Sequence, residues 1–152
     1  MIRILVADDH SLIRAGLKQI LAEKSNTDVI EACDSKEVFV QLKKFDVNIV
    51  VLDISLPGKN GIEILKDIKL SYPHISVLML SVYPEEQYGI RALKAGASGY
   101  LTKDSAPENL ALLRRLALNI LRSHPDPASI RRKIKRAGWD NAFLLAVLGH
   151  MR

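Results

Sequence analysis

Cys33 is the only cysteine in this chain, which excludes both a disulfide framework and a Cys-rich zinc site. No apolar run approaches the roughly 20 residues that a membrane-spanning helix needs. The first strand-like segment turns acidic at Asp8 and Asp9, too soon for a secretory signal, so the cytoplasm is the default compartment. Glycine-rich phosphate loops are missing as well. No Gly-x-Gly-x-x-Gly follows the first apolar run and no Gly-x-x-x-x-Gly-Lys-Ser/Thr occurs, which leaves nucleotide binding little support. What is present is an ordinary globular composition, 48% hydrophobic and 26% charged over 152 residues, of a size for one domain.

The net charge of +5 is unevenly spread. Residues 1–121 hold 15 Lys+Arg and 15 Asp+Glu, whereas residues 122–152 hold 7 Lys+Arg and 2 Asp. A neutral body with a basic appendage is the reading, and the high isoelectric point belongs to the last 31 residues.

Apolar periodicity divides the body into five strand-plus-helix units. Strands are expected at Ile2–Ala7, Val29–Ala32, Val47–Leu52, Ile75–Leu80 and Ala97–Leu101. Helices are expected at Ser11–Glu23, at residues 36–44 with Ser35 as N-cap, and at Ile62–Leu70, Glu85–Lys94 and Pro107–Leu121. Uniformly apolar strands alternating with helices imply an α/β fold, a parallel sheet covered on both faces and joined by right-handed crossovers.

Ligands of such sheets bind beyond the carboxyl ends of the strands. There the sequence sets Asp8 and Asp9 after strand one, Asp53 after strand three, Ser81 after strand four and Lys103 after strand five. Each taken alone is ordinary: a helix N-terminal acid, a turn residue, a cap, a surface lysine. Together at one edge they are a chemical set. Three carboxylates within a few ångströms repel unless a cation relieves them, and with only oxygen donors that cation is Mg²⁺. A carboxylate beside Mg²⁺ and a lysine suits attack on phosphorus, with the Ser81 hydroxyl as a further donor. Asp53, leading into the turn Pro57–Gly61, is the expected nucleophile; Asp8 and Asp9 are the expected metal ligands.

These residues, with Leu56-Pro57-Gly58 and Gly61, and with Ala95-Gly96-Ala97, Gly99-Tyr100-Leu101 and Lys103, resemble the receiver domain of bacterial two-component response regulators. Asp8-Asp9-His10-Ser11-Leu12-Ile13-Arg14 and Tyr100-Leu101-Thr102-Lys103-Asp104 are closest to the NarL/FixJ (LuxR-type) branch. The resemblance covers residues 1 to about 110, perhaps to 121, with five separated motifs in order. It implies a flavodoxin-like (CheY-like) doubly wound sheet of strand order 2-1-3-4-5. It also implies that Asp53 accepts phosphate from a sensor histidine kinase, with Mg²⁺ held by Asp9, Asp8, Asp53 and the Ser55 backbone carbonyl. Ser81 and Lys103 would contact the phosphoryl group, and Tyr100 would be the switch aromatic that turns inward when Ser81 moves. Such a module is not an enzyme beyond phosphorylating itself from phosphodonors and slowly losing the phosphate. Ser55 and Tyr83, next to the site, are placed to tune that loss.

Regulators of this branch continue into a helix-turn-helix module that binds DNA, and the 31 residues after Leu121 are too few for one. The stretches Pro107–Leu121 and Ile130–Leu145 instead resemble the extreme C-terminus of some DDE-type insertion-sequence transposases, whose catalytic carboxylates would lie upstream of the fragment. The expected organisation is a receiver domain over 1–121 and, over 122–152, a basic then apolar helical tail that is not a complete domain. Apolar surface on 109–121 favours self-association, hence a homodimer. Arg131–Arg136 is a basic run, more simply a solvated face than a DNA contact. The alternative function is DNA binding through that tail; without an output module, contact with DNA is expected to be weak or absent.

Overall fold

The computed structural model describes residues 1–22 and 26–103. The expected last helix, Pro107–Leu121, and the tail over 122–152 lie outside the described residues, as does Glu23 at the end of the expected first helix.

Nine elements alternate along the chain: β1 (Ile2–Ala7), α1 (Ser11–Ala22), β2 (Thr27–Ala32), α2 (Ser35–Lys44), β3 (Ile49–Asp53), α3 (Gly61–Ser71), β4 (Ser76–Ser81), α4 (Glu85–Lys94) and β5 (Gly99–Thr102). The strands form one parallel sheet in the order β2-β1-β3-β4-β5. This is the CheY-like topology that the sequence resemblance implies.

Side-chain alternation along the strands builds two cores. Leu5, Val50, Leu52, Val77, Met79 and Tyr100 meet α2, α3 and α4 on one face. Ile4, Val6, Ile49, Val51, Leu78, Leu80 and Leu101 meet Leu17 and Leu21 of α1 on the other. Because both faces are covered, the central strands read as unbroken apolar runs.

Several local expectations are corrected: β3 begins at Ile49 rather than Val47, and β5 at Gly99 rather than Ala97. The N-cap of α2 is Asp34, whose carboxylate accepts from the Glu37 amide at 2.8 Å; Ser35 is instead buried as the first helical residue, its amide donating to Pro57 O at 3.2 Å. Strand β2 begins at Thr27 rather than Val29, because Thr27 and Asp28 continue the ladder opposite Ile2 and Arg3, and Arg3 Nε pairs with Asp28 at 2.8 Å. Among the described residues no helix is long and apolar enough to cross a membrane.

Candidate functional site

The chain runs from β1 outward to β2 and returns across β1 to β3, so the strand order reverses between β1 and β3. A crevice opens beyond the carboxyl ends of strands at such a reversal. Ala7 pairs with Leu52, which sets Asp8 level with Asp53 although 45 residues separate them. Ser81 pairs with Thr102, so Lys103 leaves β5 one step beyond Ser81.

Asp8 is fixed before its side chain does anything. Its amide donates to Ala32 O at 3.1 Å, and Arg14 Nη1 donates to its carbonyl at 2.7 Å. Asp53 ends β3 with its carboxylate accepting from the Ser55 amide at 3.2 Å. The chain then returns through Pro57–Asn60, with Gly61 N donating to Ile54 O at 2.9 Å and Asn60 capping α3 on the Ile62 amide. Glycine is required twice here. Gly58 holds φ +93°, and a Cβ on Gly61 would stand 2.5 Å from Asp53 O and 2.6 Å from Ile54 Cα.

The two buried carboxylates share one cation. Lys103 Nζ lies 2.8 Å from Asp53 Oδ2 and 2.7 Å from Asp8 Oδ2, the acids being 2% and 1% exposed and the lysine 9%. Lys103 Nζ donates a hydrogen bond to Asp53 Oδ2 and ion-pairs with Asp8 Oδ2. Burial works against the Lys103 ammonium, but the hydrogen bonds and charges of Asp53 and Asp8 outweigh it and hold the lysine above its ordinary range. It is a fixed positive charge at neutral pH.

His10 enters the same cluster. Its amide donates to Asp8 Oδ1 at 2.9 Å, and its Nδ1 stands 2.9 Å from both Asp8 Oδ1 and Asp9 Oδ1. One ligand atom from each of Asp8, Asp9, His10 and Asp53 falls within 4.8 Å of the others. The sequence assigns the three acids to the site and gives His10 no role there, where it stands only as part of the motif Asp8–Arg14. Arg14, which pins the Asp8 carbonyl, belongs to that same motif but has no site role in the sequence.

Ser81 and Tyr100 are joined through the backbone of one residue, Tyr83. Ser81, fully buried, accepts from the Tyr83 amide at 3.0 Å, and the Tyr100 hydroxyl donates to the Tyr83 carbonyl at 3.0 Å. Tyr100 thus lies inward, its ring in the core against α2–α4. Burial raises its phenol above the ordinary range, more than the Ser81 hydroxyl lowers it. The Tyr83 ring packs on Tyr88 with centroids 5.1 Å apart, and the Arg91 guanidinium covers Tyr88. The structure therefore gathers Asp8, Asp9, Asp53 and Lys103 directly, and places Ser81 on the adjacent strand end with Tyr83 as its partner.

Residues 4–114 match the family described as response regulator receiver domain. The transcriptional regulatory protein DegU of Brevibacillus brevis is 39% identical over 104 residues, which are 68% of this chain and 44% of DegU. The structure of a LuxR-family two-component response regulator from Aurantimonas sp. SI85-9A1 aligns at a TM-score of 0.69 and 28% identity, covering 88% of this chain and 95% of that one. RcsB from Salmonella enterica serovar Typhimurium, bound to promoter rprA in the presence of the phosphomimetic BeF3⁻, aligns at 0.70 and 27%, covering 81% and 100%. The chain spans about half the length of the curated relatives it matches.

Proposed function

Because this chain belongs to the response regulator receiver family, we propose that it is the phosphoacceptor of a two-component relay, Asp53 receiving a phosphoryl group from the phosphohistidine of a sensor histidine kinase. The observation that carries this reading is the Lys103 ammonium seated on Asp53 and Asp8 at 2.8 and 2.7 Å. An Asp53 oxygen forms the new bond to phosphorus as the phosphorus–nitrogen bond breaks, and the imidazole leaves with that electron pair. The phosphoryl group brings roughly −1.5 to −2 charge and three acceptor oxygens to the sheet edge. Lys103 is close enough to exchange a carboxylate oxygen for one of them, and Ser81 offers its hydroxyl once it turns toward Asp53. Moving Ser81 disturbs its bond with the Tyr83 amide, and Tyr83 O is what Tyr100 holds, so the change reaches α4 and β5 through the Tyr83 backbone.

The donor set fits a hard divalent ion such as Mg²⁺: carboxylates dominate it, and one ligand atom from each of Asp8, Asp9 and Asp53 falls within 4.8 Å of the others. Asp8, Asp9, Asp53 and the Ser55 main-chain carbonyl would hold it. Bound there, Mg²⁺ neutralises charge on the transferring phosphoryl oxygens.

In this reading the chain turns over no external substrate and works in the cytoplasm, in the NarL/FixJ branch, serving the regulation of transcription. That branch is supported by the DegU similarity and by the LuxR-family neighbour. The tail beyond residue 121, with its likeness to a transposase terminus, contributes no transposase chemistry and at most weak DNA contact. Incubation with acetyl phosphate and Mg²⁺ followed by intact mass measurement tests the reading. One phosphoryl group is expected on the wild-type chain and none on Asp53→Asn; an unmodified wild type, or a modified variant, refutes it.

A further inference from the structure

We propose that Arg14 is a positioning residue for cation uptake at the Asp53 site, acting through the peptide that joins Asp8 to Asp9 and steadied from the edge strand β2 by Glu31. The inference rests on the Mg²⁺-dependent phosphoacceptor reading and adds two residues that the reading does not use. Its first support is the group that Arg14 holds. The Asp8 carbonyl belongs to the peptide linking the two neighbouring acids, and Arg14 Nη1 donates to it at 2.7 Å. The amide of Asp8 donates to Ala32 O at 3.1 Å. With both ends of the residue anchored, the directions in which the Asp8 and Asp9 side chains leave the backbone are set before an ion arrives.

The second support is the path of the guanidinium. The Arg14 amide donates to His10 O at 3.1 Å, so the first turn of α1 carries the side chain back over the turn that it leaves. Arg14 Nε faces Glu31 Oε1 at 3.5 Å, while Glu31 Oε2 accepts from Lys18 Nζ at 2.8 Å. Glu31 lies on β2 opposite Val6 of β1. The guanidinium, 18% exposed, thus bridges α1, the edge strand and the acidic turn. Its planar fork lets one side chain serve a carbonyl and a carboxylate in different directions, whereas a lysine carries the charge without the fork.

The consequence falls on affinity rather than on chemistry. A carboxylate whose backbone is already held gives up less freedom when it binds an ion, and partners that orient metal ligands from behind are worth about 10–100-fold in affinity. Arg14 grips a main-chain carbonyl and not a carboxylate of the site, so its loss leaves the Asp53 oxygen, Lys103 and Ser81 in place. Enough Mg²⁺ then restores phosphoryl uptake.

Mg²⁺ titration of the full chain followed by amide NMR tests this, beside acetyl phosphate uptake read by intact mass over a range of Mg²⁺ concentrations. The variants are Arg14→Gln, Arg14→Lys, Glu31→Gln and the double Arg14→Gln/Glu31→Gln. Arg14→Gln is expected to bind Mg²⁺ about tenfold or more weakly, with uptake at saturating Mg²⁺ within about twofold of wild type. Arg14→Lys is expected to remain about threefold or more weaker than wild type, since charge without the fork does not fix the peptide. Glu31→Gln is expected to cost about threefold with Arg14 present and nothing once Arg14 is gone. Unchanged affinity in Arg14→Gln, full recovery by lysine, a limiting uptake that falls in step with affinity, or a Glu31→Gln loss that persists without Arg14 overturns the proposal and leaves the phosphoacceptor reading standing. Where Arg14→Gln fails to fold, Arg14→Lys and Glu31→Gln decide by the same losses, and wild-type affinity in both overturns the proposal. A wild type that takes up neither Mg²⁺ nor a phosphoryl group overturns the phosphoacceptor reading and the proposal with it.

Discussion

Lys103→Met removes the one ammonium that Asp8 and Asp53 share. At an effective dielectric of about 20, each contact near 2.8 Å is worth roughly 6 kcal/mol of Coulomb attraction. Most of that is offset by the cost of taking the three groups out of water. Deleting one partner of a buried pair leaves that cost unanswered and typically destabilises by about 3–5 kcal/mol. With the acids 1% and 2% exposed and the lysine 9%, a loss of about 3–5 kcal/mol is expected. The methionine fills much the same volume, so the loss is electrostatic rather than a cavity. Urea unfolding followed by circular dichroism measures it. Millimolar Mg²⁺ should stabilise the variant more than the wild type, because an added cation replaces the missing one and binds only the folded chain. The loss should also shrink by about 1 kcal/mol or more when Asp53→Asn is already present, since the two residues are in contact. A loss below about 0.5 kcal/mol, or one that Asp53→Asn leaves unchanged, would refute the shared-cation account.

Gly61→Ala forces a Cβ against the backbone at Asp53 and Ile54, neither of which can swing aside. A loss of about 1–3 kcal/mol and weaker phosphoryl uptake from acetyl phosphate are expected; an alanine variant as stable and as readily modified as wild type contradicts the close approach. Glu31 accepts a hydrogen bond from Lys18 at 2.8 Å, and this bond, opposed by slight burial and aided by the charges of Lys18 and Arg14, holds its carboxyl below the ordinary 4.5. A lowered carboxylate contributes stability that is present above pH 4.5 and is lost as pH falls through the lower folded value. The pair is half exposed and screened, so Lys18→Met should cost only about 0.5 kcal/mol at neutral pH. That gap should close as pH falls below 4.5 and through the lower folded value, or in about 1 M salt; a gap that persists in acid is the contrary result.

Much of the fold could be read in advance because strand and helix have different apolar periods. Val50 to Leu52 and Val77 to Leu80 are continuous runs, and continuous runs belong to strands buried on both faces. Boundaries were less legible where polar residues continue an element. Thr27 and Asp28 look like loop residues until β1 lies beside them, and the choice between Asp34 and Ser35 as cap depends on Ser35 being drawn under Pro57 and Gly58. At the site, the three acids, Ser81 and Lys103 could be picked out because each directly ends or follows an apolar run. His10 could not, because a histidine opening a helix has no periodic signature and its partners come from the fold of the Asp8–His10 turn.

Residue order alone thus dictates where strands stop and which side chains stand at their ends, since backbone and apolar preferences act over a few neighbours. It does not dictate that Asp8 faces Asp53 across 45 residues, that one lysine serves both, or that Tyr83 ties Ser81 to Tyr100. Those facts come from parallel register and from the reversal of strand order between β1 and β3, which exist only once distant segments pack. Charges brought within 3 Å inside a dry sheet edge acquire partners and energies that no local stretch of chain possesses.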